Sequence, residues 1–291
     1  MTAFGARLEA AMDRLGPLCV GIDPHPGLLD AWGLPDDVEG LRRFAMTVVE
    51  SLAGRVAALK PQAAFFERHG SAGVAALEEV VAATRADGTT QVIVDAKRGD
   101  IGSTMAGYAD AYLREGSPLA GDALTVSPFL GVGSLEPAFR AAAANERGLF
   151  VLALTSNPEG PSVQHAVRPG DDGPVAVAAA IARHVAARNA AELAGAPAGT
   201  GLGSVGLVVG ATVGDAVGRL GIDLAAVRGP LLAPGVGAQG AGPAELRAVF
   251  GSARRAVLAS TSRAVLGAGP TAVGLRDAAA RAVDDAAAAL R

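Results

Sequence analysis

The stretch Gln91-Val92-Ile93-Val94-Asp95-Ala96-Lys97-Arg98-Gly99-Asp100-Ile101-Gly102-Ser103-Thr104 decides the fold. It opens on a β-branched apolar run too short for a helix, ends in charge, and leads through two glycines into a helically patterned segment, Ser103–Arg114. The run does not alternate apolar with polar residues, as a strand with one wet face would. It reads as a strand buried on both faces, which is the signature of a parallel sheet covered by helices.

Working outward, the same unit recurs. Short apolar runs lie at Leu18–Asp23, Val56–Lys60, Gln91–Asp95, Ala123–Ser127, Leu149–Thr155, Val205–Val209, Pro230–Pro234 and Ala256–Ser260. Helical patterning follows at Leu41–Leu52, Ser71–Arg85, Ser103–Arg114, Ser134–Ala144, Val175–Leu193, Thr212–Leu220, Pro243–Phe250 and Pro270–Leu290. Eight strand–helix units in about 250 residues favour a closed parallel (β/α)8 TIM barrel over an open doubly wound sheet. No linker interrupts the alternation, so residues 1–291 are expected to form a single domain.

Composition narrows the function. Half of the residues are hydrophobic and the net charge is −4, with Lys and Arg scattered, so no basic field for nucleic acid is present. The single cysteine, Cys19, permits no intrachain disulfide and suits a reducing cytoplasm. The N-terminal MTAFGARLEAAMDRLG reads as an amphipathic helix, and no apolar run approaches the roughly 20 residues of a membrane span. The histidines His25, His69, His165 and His184 are isolated, with no metal-ligating spacing, and no cofactor motif survives inspection. Gly201-x-Gly203-x-x-Gly206 matches a dinucleotide fingerprint formally but precedes a strand instead of following one.

In such a barrel the active site is built at the carboxyl ends of the strands. The polar residues there are Asp23, Lys60, Asp95 with Lys97, Ser127, Thr155 with Ser156, Gln239 after Pro234, and Ser262 with Arg263. Asp95 and Lys97 are two apart, so regular strand geometry points both toward the barrel mouth, and Asp100 follows in the turn. An ammonium between carboxylates has its charged form favoured, which suits a cation that stabilises a carbanion and then donates a proton. A strand-end salt-bridge network accounts for the triad equally well. The segments Ala233–Gly240 and Ala259–Arg263 follow the seventh and eighth strands, a frequent phosphate site in barrels, with Arg263 able to complete it as a fork. Read bare, they are a flexible turn and a solvated helix start. Leu154-Thr155-Ser156-Asn157 offers hydroxyls and an amide to a planar polar ring. The Gly/Pro-rich stretch at 157–174 is too long for an ordinary connection and is either a lid or a surface insertion.

Taken in order, KPQAAFFE, DAKRGDI, LTSNPEG and APGVGAQG resemble the orotidine 5′-phosphate decarboxylase family. DAKRGDIGST and the long segment after the fifth strand are similar to its longer bacterial (type 2) subgroup. The resemblance implies a cofactor-free decarboxylase acting on orotidine monophosphate to give uridine monophosphate, as a homodimer with shared active sites. It implies that Lys97 donates the proton within an array of Lys60, Asp95 and the partner's copy of Asp100. Asp23 and Lys60 would contact the ribose hydroxyls, Ile101 and Thr104 would face the neighbouring subunit's site, and Ser156 would meet the pyrimidine. Gln239 and Arg263 would hold the phosphate beside Pro234 and Ser262. Two rivals remain: a metal-dependent keto-sugar phosphate barrel such as a hexulose-phosphate synthase, which would want a carboxylate where Lys60 stands, and a silent nucleotide-binding barrel.

Overall fold

Eight apolar runs become eight strands because each can bury both faces: β1 Leu18–Ile22, β2 Ala58–Pro61, β3 Gln91–Arg98, β4 Ala123–Val126, β5 Gly148–Leu154, β6 Val205–Val209, β7 Leu231–Pro234 and β8 Val257–Thr261. The computed structural model describes residues 2–170, 173–197, 199–236 and 241–291. The strands pair in parallel and in chain order, and β8 closes on β1 with Leu18 opposite Ala259. The closed single-domain barrel is thus the expected one. No helix among the described residues is long and apolar enough to cross a membrane.

Strand period sorts the core into two layers. Leu18, Val20, Ile22, Val92, Val94, Leu124 and Val126 face outward against the helices. One inward residue per strand, namely Cys19, Ala58, Ile93, Ala123, Phe150, Val208, Leu232 and Leu258, fills the barrel interior. The N-terminal helix Phe4–Leu15 seals that interior from below with Phe4, Leu8, Ala11 and Met12, and the Phe4 and Phe150 rings meet edge-on at 6.1 Å. Arg7 ties the helix down through Asp122 at 3.1 Å, and Asp122 in turn accepts from the Val92 amide. A Cβ at Gly206 would lie 2.7 Å from the Phe150 ring, so this glycine of the formal dinucleotide fingerprint makes room for barrel packing.

Three elements depart from expectation. The strand foreseen at Gln91–Asp95 runs on to Arg98, with a register shift against β4 between Val94 and Arg98. The helix foreseen at Thr212–Leu220 shrinks to Ala216–Arg219, since Gly214 and Gly221, both at positive φ, bracket it. Within the long connection after β5, Pro161–Gln164 is a helical turn. Val167–Arg168 pairs antiparallel with Val175–Ala176, so the next helix starts at Val177 instead of Val175.

Candidate active site

The mouth of the barrel is held by a chain of alternating charge. Lys60, at the end of β2, donates from Nζ to Asp95 Oδ2 at 2.8 Å, and Lys97 donates from Nζ to Asp95 Oδ1 at 2.6 Å. Lys60 and Asp95 are buried, whereas the Lys97 side chain is 45% exposed and faces the cavity. Thr125 Oγ1, from β4, donates to Asp95 Oδ1 at 2.8 Å, and the Gln62 amide donates to the Asp95 carbonyl at 3.2 Å. Burial alone would push the Asp95 carboxyl up. The Lys60 and Lys97 cations outweigh it and hold Asp95 well below the usual carboxylate range. Burial likewise opposes the charge on Lys60, but Asp95 and then Asp23 raise its pKa above the ordinary lysine value.

Lys97 reaches Asp95 by a different route from the one sequence period suggests. Its φ is +46°, a left-handed conformation that costs a residue with a Cβ about 1 kcal/mol. This kink is the β3 register shift, a bulge that re-aims a side chain. Its amide donates to Thr125 Oγ1 at 2.9 Å, so one threonine supports both the carboxylate and the backbone of the lysine.

Across a cavity of about 380 Å³, other strand ends complete the walls. Asp23 accepts a hydrogen bond from the Ser262 hydroxyl, while its Oδ1 is buried without a partner among the described residues. Thr155, Ser156 and Asn157 line one side, and Pro234, Gly235, Ser262 and Arg263 line another. Arg263 has no ion-pair partner among the described residues. The Thr155–Asn157 wall is tied to the inserted segment: Gln164 Oε1 accepts from the Thr155 amide at 2.8 Å and Gln164 Nε2 donates to Thr155 Oγ1 at 2.7 Å.

Of the strand-end residues singled out in the sequence, Asp23, Lys60, Asp95, Lys97, Thr155, Ser156, Pro234, Ser262 and Arg263 therefore converge on one cavity. Gln239 lies outside the described residues. Asp100, Ile101 and Thr104 do not line the cavity of their own chain. Asp100 accepts from the Ile101 amide, and Ile101 is 61% exposed. Sequence reading missed His25, Gln62 and Thr125, all of which line the cavity. The signal for Thr125 was a lone hydroxyl inside the buried run Ala123–Val126. Among the described residues no group of three or more His, Cys, Asp or Glu is placed to hold a metal ion.

Comparison with known proteins gives the lineage of this site. The model of the Orotidine 5′-phosphate decarboxylase / HUMPS family matches residues 16–278. A relative from Salinispora arenicola named orotidine 5′-phosphate decarboxylase is 59% identical over 290 residues, covering 100% of this chain and 99% of its own length. One of the same name from Streptomyces coelicolor is 59% identical over 281 residues, covering 97% and 96%. A crystal structure from Streptomyces avermitilis, described under that activity, superposes with a TM-score of 0.91 at 58% identity, covering 100% of this chain and 96% of that one. Leishmania donovani OMP decarboxylase gives 0.73 at 32% identity, covering 99% of each chain. With the family model spanning most of its length and full-length relatives this similar, the chain belongs to the orotidine 5′-phosphate decarboxylase / HUMPS family.

Proposed function

We propose that this chain is an orotidine 5′-phosphate decarboxylase, converting orotidine monophosphate to uridine monophosphate and carbon dioxide in pyrimidine biosynthesis, in the cytoplasm and without a cofactor. The observation that carries this reading is the Lys60–Asp95–Lys97 chain, with a half-exposed ammonium at its end facing a cavity of nucleotide scale. The C6–carboxylate bond breaks, its electron pair stays at C6, and carbon dioxide leaves. The Lys97 ammonium is the cation nearest that developing charge and then transfers its proton to C6. Asp95 holds Lys97 in place and crowds the departing carboxylate. The uncatalysed reaction is slow, so the site has to lower the barrier by about 20 kcal/mol, near the upper end of the usual range.

Binding at the far end of the substrate is used to position the ring. Arg263, Gln239 and the backbone around Pro234 and Ser262 hold the phosphate, Asp23 and Lys60 take the ribose hydroxyls, and Ser156 meets the pyrimidine. The segment 157–174 closes as a lid, a role supported by the Gln164 bonds that join it to Thr155. Asp100, Ile101 and Thr104 complete the site of a partner subunit in a homodimer. Their position outside their own cavity supports this, as do the exposed apolar side chains of Ile101 and of Phe129 and Leu130 on the neighbouring loop.

The test is the loss of orotidine monophosphate absorbance with purified protein, with and without EDTA, beside Lys97→Ala. Metal-independent decay that falls by several orders of magnitude in the variant is expected. Undiminished decay in Lys97→Ala removes the role given to that lysine, and decay abolished by EDTA points to a metal-dependent sugar-phosphate barrel instead. Sharing of sites has its own test: mixed Lys97→Ala and Asp100→Ala subunits regain part of the activity, and no regain despite proven exchange argues against it.

A further inference from the structure

We propose that Arg98 is a positioning residue for Lys97, bracketing the bulge that aims the ammonium into the cavity. The inference rests on the reading of Lys97 as proton donor. Lys97 sits at φ +46°, a conformation its own side chain disfavours, so neighbouring contacts must hold it there. On one side its amide is fixed by Thr125. On the other stands Arg98, whose carbonyl accepts from the Ser127 amide at 2.8 Å and so anchors the far end of the bulge to the segment after β4.

The guanidinium does the rest. It folds back so that Nη1 reaches the Ala96 carbonyl at 3.4 Å, and residues 96 and 98 are thereby tied to each other across Lys97. Nη2 donates to the Tyr112 hydroxyl at 3.1 Å and pairs with Glu67. The guanidinium carbon lies 5.3 Å from the Tyr108 ring centroid and 5.5 Å from that of Tyr112, within cation–π range of both. Glu67 ends the short helix Ala63–Glu67, which begins next to Gln62, and the Gln62 side chain bonds the Asp95 carbonyl and Lys97 Nζ. Arg98 therefore connects the back of the bulge with the helix next to Gln62, while touching neither the cavity nor the substrate space. These contacts need a flat fork: a lysine ammonium in its place can pair with Glu67 but cannot lie between two rings and reach two further oxygens at once.

A plain packing role for the same ion pair predicts a loss of stability and nothing more, which makes the two separable. Arg98→Met and Arg98→Lys are compared with the wild type for kcat and KM with orotidine monophosphate, for uridine monophosphate affinity and for melting temperature, and the structure of Arg98→Lys is solved. Positioning predicts that kcat falls roughly 10- to 100-fold, the scale of a misplacement near 1 Å, while KM and uridine monophosphate affinity stay within about twofold. It also predicts that Lys97 leaves φ +46° or its Nζ moves away from the 2.6 Å contact with Asp95. Tyr112→Phe, which removes the hydroxyl that accepts from Arg98 Nη2, shows the same split in weaker form.

Unchanged kcat in Arg98→Lys, with Lys97 in its original conformation, overturns the proposal, whatever happens to the melting temperature. If Arg98→Met does not fold, Arg98→Lys decides alone. If the wild type itself does not decarboxylate orotidine monophosphate, the functional reading has failed, and the Lys97 geometry in Arg98→Lys still judges whether Arg98 holds the bulge.

Discussion

The two ends of the barrel are built from the same strands and differ by a single inward step along each of them. At the lower level the inward residues of β2, β3, β4 and β8 are Ala58, Ile93, Ala123 and Leu258, all sealed from below by the N-terminal helix. Two residues further on, the same face carries Lys60, Asp95, Thr125 and Ser260, all of which line the cavity. Strand period makes the switch abrupt, because a change of residue type at every second position alters one layer and leaves the outward face apolar. The charged chain thus rests on a dry floor, with Val208 and Leu232 lining both. Such a floor strengthens each electrostatic contact above it and makes any unpaired charge there expensive.

This division between a stabilising floor and a reactive mouth can be broken at one residue. Asp95 belongs to the mouth, yet it compensates a buried lysine. Asp95→Ala is expected to abolish measurable turnover and also to destabilise the fold by about 3–5 kcal/mol, because Lys60 is left buried without its carboxylate. Urea unfolding beside the absorbance assay checks both, and an unchanged midpoint would show that water or Asp23 compensates Lys60 instead. Phe4 tests the floor. Phe4→Ala removes a fully buried ring packed edge-on against Phe150, and a loss of about 3 kcal/mol in stability with kcat unchanged is expected. A large fall in kcat at temperatures where the variant is folded would mean that the floor shapes the mouth.

Much of this layering is legible in the sequence. The eight apolar runs and their polar ends carry the barrel, and nine of the residues they nominate meet in one cavity. What stays hidden depends on contacts distant in the chain. The bulge at Lys97 is held by Thr125, 28 residues away, so nothing local to DAKRGD announces it. Gln62 follows Pro61 and looks like an ordinary loop amide until β3 lies beside it. Thr125 was within reach: stepping two residues from the inward Ala123 names it, as the same step from Ile93 names Asp95. The helix at Ala216–Arg219 is shorter than its apolar spacing suggests because Gly214 and Gly221, whose positive φ the sequence does not announce, end it on either side.

The acid side of the stability curve gives a smaller effect with a definite sign. Asp95 has its folded pKa lowered, so its contribution is complete above the ordinary aspartate value of 3.8 and is lost as pH falls below that through the folded value. Lys60 has its folded pKa raised, so its contribution is complete below the ordinary lysine value of 10.5 and is lost as pH rises through the folded value. Between those limits the pair adds no slope. In the double variant Lys60→Met, Asp95→Leu the melting temperature should depend less on pH below 3.8 and above 10.5 than it does in the wild type. Identical pH profiles would assign the acid and alkaline limbs to other groups.

Cys19 offers the smallest and most local test, since it lies in the floor layer, level with Ala58. Burial pushes its thiol up to about 12, only partly offset by nearby Lys60. At pH 8 a thiol of that pKa is ionised in only about one molecule in ten thousand, and it is buried besides, so a thiol-specific reagent should leave the native protein unlabelled. Labelling then reports opening of the barrel. If the N-terminal helix opens as a unit while the mouth stays intact, Phe4→Ala will speed Cys19 labelling without slowing decarboxylation, and saturating uridine monophosphate will not suppress the increase. Suppression by the nucleotide would mean that reagent reaches Cys19 from the mouth or through global unfolding, and the two ends would then have to be treated as one cooperative unit.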